Sequence, residues 1–382
     1  MIQNLKNFAI NWTDGMKISE KHLNAHDNFF LDSLRDTNSL RCTNYNYGLL
    51  PIGFKKGDEE AIFEVVNTAT NDVHIVVRHC AAITEAGYRI ELSDYKINFK
   101  SLLNTSKGKT SQNKLAYYVL ISANPYSRIP FGDIDPEETP PRHPYTQSKY
   151  TIQLLAEDDL KSGATGGNYL IIGKVEIDDH AAKADKNFIP PSTSLHSHPV
   201  LLSYYQSFAD AMGKLQQYAL IIIKKALQFN QNTTLVINVK GLCRTIIDYI
   251  ANIYFSYRNM VPQQPPVHMI AIFSSLALHI YNSTQVLANA ELEEMLNYSF
   301  EWSEVPPHAL LNQLSMVAEI NYDHNNCGQH MSAIKLLLDS LERIFSHLSN
   351  LDYIGQVKEN IIVNDTDITP KTQVKKGWSL LD

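Results

Sequence analysis

The sequence predicts an α+β multidomain protein, in which an antiparallel β-rich N-terminal domain precedes an elongated α-helical bundle. The chain has 382 residues, more than one hydrophobic core usually organises. Between residues 60 and 180 the apolar residues occur in short runs rich in β-branched and aromatic side chains, as in strands. After residue 199 they recur with a helical period. A sheet domain is therefore expected before a helical one.

A helix is the first predicted element. The stretch "SEKHLNAHDNFFLDSLRD" (19–36) is expected to form it, with Ser19 as the N-terminal cap. It carries His22 and His26 four residues apart, a spacing that can place two imidazoles on one metal ion.

A metal site on this helix lacks further support. The Glu that follows the first His of a metalloprotease helix is replaced by Leu23. The nearest other pair, His196 and His198, lies far along the chain. A hydrogen-bonded or solvent-facing pair is therefore favoured for His22 and His26. A metal-dependent hydrolase built on the four histidines stays as a minor alternative.

Five short apolar runs predict the strands of the N-terminal domain. They lie at 72–80, 88–93, 114–124, 149–157 and 168–177. Antiparallel pairing is favoured because no helical crossover separates these runs. The segment 130–144 carries five prolines and is expected on the surface. The Gly-rich segment 161–168 lacks the Gly-Lys-Ser/Thr ending of a phosphate loop, so a hairpin loop is the better interpretation.

The domain boundary is predicted at residues 188–199, "FIPPSTSLHSHP". Pro190 and Pro191 favour an extended segment there, and the period becomes helical after it. We therefore assign 1–187 to the β-rich domain with its one N-terminal helix, 200–352 to the helical bundle and 353–382 to a tail. The segment 188–199, which contains Ile189, is expected to act as a hinge.

Two heptad seams predict how the bundle packs. The first comprises Leu201, Tyr205, Phe208, Met212, Leu215, Ala219, Ile222 and Ala226, and the second Ile334, Leu338, Leu341, Phe345 and Leu348. Helices are expected at 240–258, 267–290, 307–320 and 328–351. The period does not decide whether the seams meet each other or copies of themselves in other chains.

The tail ends in an apolar cluster of Trp378, Leu380 and Leu381. It either folds back on the bundle or docks on another protein, since Trp is enriched at binding hot spots. The N-terminus lacks the apolar core of a signal peptide, and no run of about 18 apolar residues occurs. We expect a chain that is neither secreted nor inserted in a membrane.

Composition and motifs argue against several functions. The formal net charge of -7 disfavours nucleic-acid binding, which depends on neutralising phosphates. The four cysteines stand far apart and are expected to be reduced, mostly buried thiols in a cytoplasmic protein. No nucleophile elbow occurs, and "YDHNN" (322–326) is better explained as a helix cap than as a catalytic dyad. We expect neither an enzyme nor a cofactor.

Four motifs carry a family resemblance. "W-x-D-G-M-x-I-x-x-x-H-L" begins at Trp12, "YGLL" at Tyr47, "FIPPSTSLHSHPVL" at Phe188 and "YDHNN" at Tyr322. Their order and spacing over residues 8 to 350 resemble those of the type VI secretion system baseplate subunit TssK.

The resemblance implies a fold and an assembly. The β-rich domain would be a shoulder similar to phage receptor-binding proteins, and the bundle would form a neck that ends in a C-terminal head. The family is homotrimeric, its shoulder binds the wedge proteins TssF and TssG, and its head reaches the membrane complex. Only about thirty residues follow the last predicted helix here, too few for an independent core. We expect no full head domain, and the membrane-side partner stays open.

The resemblance also suggests roles for residues. Trp12 and Met16 would pack where a first strand turns into the helix, with Gly15 permitting the turn. The N-terminal motif and expected wedge contact comprise Trp12, Asp14, Gly15, Met16, His22, Tyr47 and Gly48. The hinge comprises Ile189, Pro190 and Pro191, and the bundle or trimer seam the residues of the two heptad seams. Trp378, Leu380 and Leu381 form a candidate docking tail.

The expected function is that of a trimeric adaptor in a contractile injection system, linking the wedge proteins to the cell-envelope anchor. It would lie in the cytoplasm at the inner face of the membrane. The alternative of the same broad class is a phage-like tail receptor-binding protein.

Overall fold

A computed structural model describes residues 4–51, 62–68, 72–99, 115–156, 168–177 and 181–356. It confirms the predicted fold class, because antiparallel sheets fill the N-terminal part and helices the C-terminal part. The five predicted strands all form.

Helix α1 (Glu20–Ser39) begins at its predicted cap. Ser19 has extended backbone angles, and the His22 side chain reaches back to its backbone N–H, with 3.3 Å between the two nitrogens. The reciprocal arrangement resembles a capping box, with His in the place of the usual Glu. The segment that precedes α1 forms a turn at residues 14 and 15 but no strand, so the expected first strand is absent from residues 4–18.

Strand β3 is the centre of the first sheet. It pairs along its length with β4 on one side, and with β1 and β2 on the other side at its two ends. All pairs are antiparallel. The strands are β1 (Gly48–Leu49), β2 (Phe63–Asn67), β3 (Val73–Ile83) and β4 (Arg89–Phe99).

The second sheet has the order β6-β5-β7-β8, again antiparallel. Its strands are β5 (Leu115–Phe131), β6 (Tyr145–Ala156), β7 (Tyr169–Ile177) and β8 (Ala182–Ala184). Strand β5 pairs with β7 only as far as Ser122, whereas its pairing with β6 continues to Phe131. The ends of β5 and β6 therefore extend as a two-stranded ribbon. The proline-containing segment 130–144 joins them and is largely exposed.

The two sheets pack face to face as a sandwich with one apolar core. Phe63 of the first sheet lies directly on Gly173 of the second, where an added Cβ atom would come within 2.0 Å of the ring. Asn67 ties the sheet edges together, since its side chain both donates to and accepts from the backbone of Ala182 at 2.9 and 2.8 Å.

Six helices form the bundle around a second, separate core. They are α2 (Pro199–Gln228), α3 (Thr234–Asn259), α4 (Pro266–Gln285), α5 (Asn289–Ser303), α6 (Pro307–Ala318) and α7 (Cys327–Asn350). Three of them begin with proline, whose missing N–H has no acceptor in a first helical turn. Helix α2 packs between α3 and α7.

One predicted helix is wrong in extent. The prediction of a single helix at 267–290 missed a break, because α4 ends at Gln285 and Ala288 has the extended backbone of a cap before α5. The break contains neither glycine nor proline, so no local signal marked it. Helix α5 was not predicted at all.

Candidate functional site

Two motifs that are far apart in the sequence are paired at the junction between sandwich and bundle. The backbone N–H of Leu49 donates to Pro191 O at 2.8 Å, and that of Thr193 donates to Leu49 O at 2.9 Å. Gly48 has φ +115, and a Cβ atom there would come within 2.1 Å of the carbonyl oxygen of Pro191. The glycine of the "YGLL" motif is therefore required by close backbone approach.

The third motif joins this junction through His324. Its Nε2 lies 2.8 Å from the carbonyl oxygen of Tyr47, and its Nδ1 lies 2.6 Å from the hydroxyl of Tyr322. A carbonyl only accepts, so Nε2 carries the hydrogen and Nδ1 accepts from the tyrosine. Burial lowers the pKa of His324 below its usual value. The imidazole is thus a neutral link between β1 and the residues before α7.

Two further contacts hold the same region. The Tyr47 ring packs edge-on against His324, with 4.8 Å between the ring centroids, and its hydroxyl donates to Asn325 Oδ1 at 3.3 Å. At the start of α7, the Cys327 thiol donates to the carbonyl oxygen of Ile189 at 4.0 Å. We call residues 47–49, 189–193 and 322–328 the junction. Ile189, Pro190 and Pro191, the residues of the predicted hinge, are buried.

A buried carboxylate fixes α1 and the N-terminal segment to the sandwich. Asp32 accepts hydrogen bonds from the backbone N–H groups of Lys6 and Asn7 at 2.5 and 2.9 Å, from Arg35 Nε at 2.9 Å and from the Tyr126 hydroxyl at 3.1 Å. Burial alone would raise the pKa of Asp32, but these four hydrogen bonds outweigh it and lower the pKa to about 2. Sequence reasoning missed this anchor, because Asp32 lies on the side of α1 opposite to its apolar residues, with Arg35 and Ser39.

The histidines of α1 are part of an aromatic row. The ring of Trp12 lies 6.2 Å from His22 and 6.0 Å from His26, and His26 packs edge-on against Phe30 at 4.8 Å. His196 and His198 do not join them. Within the ranges that the structure describes, no three His, Cys, Asp or Glu side chains form a group that could hold a metal ion.

Asp14, Gly15 and Met16 form a turn before α1. Gly15 has φ +79 in open space, and the backbone N–H of Met16 donates to Thr13 O at 3.2 Å to close a turn. Asp14 is exposed and Met16 is half-buried. The motif therefore presents a turn to solvent and does not contribute to a core.

One face of α1 is apolar and exposed. Phe30 and Leu34 are 51% and 62% exposed, and Trp12 is 46% exposed. These side chains, with Leu23, form what we call the α1 face. A groove of about 360 Å³ separates Phe30 and Leu34 from the ribbon formed by β5 and β6.

The ribbon continues this apolar surface. Its exposed apolar side chains are Ile129, Phe131 and Tyr145. Arg128 connects the ribbon to α1 through Asp27 at 3.0 Å and Asn28 at 2.8 Å. An isolated two-stranded ribbon is only marginally stable in water, so contact with α1 supports it, and the large exposed side chains suit a protein partner.

The heptad seams face each other inside one chain. Helices α2 and α7 pack together, and Lys214 Nζ lies 2.7 Å from Glu342 Oε1 at the rim. The seam side chains of both helices belong to one core. Of the first seam, Leu201, Phe208, Met212, Leu215, Ala219, Ile222 and Ala226 are buried and Tyr205 is half-buried. Ile334, Leu338, Leu341, Phe345 and Leu348 of the second seam are buried.

Trp378, Leu380 and Leu381 lie outside the described residues. In the parts of the chain that are described, no helix has both the length and the apolar character needed to cross a membrane. The four cysteines have free thiols, and Cys80, Cys243 and Cys327 are buried.

Fold and junction define an α+β protein in which an antiparallel sandwich is tied by interlocking backbone and side-chain contacts to a helical bundle. This fold is similar to that of a chain in the baseplate complex from the type VI secretion system, with TM-score 0.50 and 10% identity over 87% of this chain and 99% of that one. No family model and no curated protein matches the sequence.

Two further structures, one of TssK and one of a complex that contains it, match this chain with lower TM-scores. A crystal structure of TssK matches at TM-score 0.49 and 14% identity, covering 87% of this chain and 69% of that one. The TssK-TssF-TssG baseplate subcomplex matches at TM-score 0.45 and 12% identity, covering 88% and 99%. At these identities the likeness concerns the fold.

Proposed function

We propose that this protein is a structural component of a type VI secretion baseplate, a trimeric adaptor that links wedge proteins to an anchor in the cell envelope. The observation that carries the proposal is the fold likeness to a chain of the baseplate complex, which extends over 87% of this chain and nearly all of that one. Its role is assembly and not catalysis, and its place is the cytoplasmic side of the membrane.

The α1 face and the ribbon are the proposed contact for wedge proteins that resemble TssF and TssG. Large apolar and aromatic side chains near the centre of an interface carry most of the binding energy. Here they stand on a helix that the buried Asp32 fixes to the sandwich. A surface held in one conformation loses little entropy when a partner binds.

A charge placed on this surface tests the contact. Leu34→Asp should abolish co-purification of the two wedge proteins from the same genome, because an aspartate in an apolar interface would be desolvated without a partner. Leu336→Asp on α7 is the matched control, since Leu336 is 56% exposed on another helix. Wedge binding by Leu34→Asp equal to that of the control would refute the assignment.

Self-association is the second part of the proposal. Because the heptad seams pack on each other within one chain, a trimer requires other surfaces. Light scattering at micromolar concentration should give about three times the chain mass of 43.3 kDa. A monomeric mass over the whole concentration range would refute the proposed trimer. It would not affect the proposed wedge contact, which the Leu34→Asp experiment tests separately.

The tail is proposed as a docking element on the membrane side. Trp378, Leu380 and Leu381 supply the residue types that anchor peptides on partner surfaces. Deletion of residues 372–382 should leave the oligomer intact and weaken binding to an envelope partner. Unchanged binding would remove the tail from the proposed interface.

A further inference from the structure

A cavity of about 560 Å³ lies where the sandwich, the segment before the bundle and the first turn of α2 meet. This volume is within the usual range of small-molecule sites, and such sites favour the boundaries between folding units. The cavity is separate from the α1 face, and of the junction residues Pro190 lines it.

One wall of the cavity is apolar. Phe63, Ile172 and Phe188 line it together with Gly173. Strand β7 has an irregular register opposite Val119 and Leu120, next to this glycine. Bulges and strand glycines occur where a strand is shaped for a close neighbour or a ligand. An aliphatic chain or an aromatic ring of a ligand would pack against this wall.

Polar side chains also line the cavity. They are Lys186, His198 and Ser203, of which the last two lie at the start of α2. Burial lowers the pKa of His198 to about 4, so the ring is neutral at pH 7. Its Nδ1 is buried and has no hydrogen-bond partner among the described residues, so this nitrogen can form a hydrogen bond with a ligand.

The charges near these polar side chains favour an anion. Lys186 brings a cation, and a 30-residue helix begins here with its positive dipole end and first-turn N–H groups. Asp185 also lines the cavity, but its Oδ1 accepts the backbone N–H of Asn187 at 2.9 Å. That hydrogen bond partly satisfies its negative charge within its own turn.

We propose that this cavity binds a small amphipathic carboxylate, with the apolar chain against Phe63, Ile172 and Phe188 and the carboxylate at Lys186, His198 and the first turn of α2. Such a ligand would contact both the sandwich and the bundle. The proposal goes beyond the assembly role and does not depend on it.

The test is calorimetric titration of the full chain with decanoate. One molecule should bind per chain, and thermal unfolding should shift to higher temperature as decanoate is added. Decanol and decylamine keep the chain length and change the headgroup. Each should bind at least about tenfold more weakly than decanoate.

Two matched variants locate the site. Ser203→Trp fills the cavity mouth and should abolish binding, whereas Ser207→Trp places the same side chain one turn further along α2, outside the cavity. Lys186→Gln should weaken decanoate binding about tenfold without changing decanol binding, and Lys224→Gln on α2 should change neither. No decanoate binding to the wild-type chain, or equal binding by Ser203→Trp and Ser207→Trp, would overturn the proposal.

Discussion

At the residue scale, a single glycine decides whether sandwich and bundle can meet. Gly48 combines a positive φ with a close approach to Pro191, so a side chain there would meet both backbone strain and a steric clash. Gly15 shares the positive φ but faces open space. Comparing substitutions at the two glycines therefore separates the cost of backbone strain from the cost of a steric clash.

Gly48→Val should lower the free energy of unfolding by about 3 kcal/mol or more, which is the size expected of strain and clash together. Gly15→Val carries only the strain and should lower it by about 1 to 2 kcal/mol. Urea unfolding of both variants measures the difference. Equal losses would show that the contact between Gly48 and Pro191 is not close in solution.

His324 predicts a pH dependence of stability. Its pKa is lowered in the folded protein by burial, while the unfolded chain has the ordinary value of 6.5. The unfolded state therefore takes up the proton first as the pH falls, so stability is fully present above about pH 6.5 and is lost below it. Tyr47, Tyr322 and Asp323 act on the ring, and His330 lies beyond them, where its Nε2 accepts from the backbone N–H of Asp323.

The variant His324→Gln isolates this effect. A glutamine amide can still donate to Tyr47 O, but it does not titrate. The fall in melting temperature between pH 7.5 and pH 5.5 should be smaller in the variant than in the wild type. Burial lowers the pKa of His198 and His330 as well, so part of the pH dependence should remain. An unchanged pH dependence would contradict the role of His324.

At the scale of elements, the sequence predicts what depends on local periodicity. Strands β3 to β7 follow from runs of β-branched and aromatic residues, and α2 and α7 follow from their heptads. The break between α4 and α5 depends instead on how both helices pack in the bundle core. The ribbon likewise depends on pairing between distant strands, which periodicity does not record. The predicted capping of α1 by Ser19 was local, and it is present.

A substitution in the first heptad seam can show whether the seam lies in the core of one chain or in an interface between copies. Phe208 is 1% exposed within a single chain, so Phe208→Ala should lower the free energy of unfolding by about 3 to 5 kcal/mol. Leu220 lies on the same helix and is 40% exposed, and Leu220→Ala should cost less than about 1 kcal/mol. The loss for Phe208→Ala should not depend on protein concentration. A concentration-dependent loss would assign the residue to an interface between copies.

At the scale of the whole molecule, motifs recognised one by one in the sequence become a connected arrangement. Three separate motifs meet at the boundary between sandwich and bundle. The N–H of Leu49 donates to Pro191 O, and His324 donates to Tyr47 O. The order of these motifs along the chain suggested a family, but spacing alone did not place them side by side. Long-range contacts of this kind require the whole fold, which is why the junction was not predicted as a site.

Each unit has its own apolar core, so the junction determines whether the units unfold together. Tyr47 makes many of the junction contacts, since its carbonyl accepts from His324 and its ring and hydroxyl contact His324 and Asn325.

Calorimetry of the wild-type chain should show one cooperative transition. Tyr47→Ala should split it into two, because the ring contacts between the units are lost, and the sandwich should unfold first, because Tyr47 also belongs to its core. Tyr249→Ala removes a tyrosine that bonds only within the bundle, to Ile272 O, and should lower the transition temperature without splitting it. A single transition in Tyr47→Ala would mean that the contacts the variant keeps are enough to couple the two units. These are the pairing of Leu49 with Pro191 and Thr193 and the hydrogen bond from His324 to the carbonyl of residue 47.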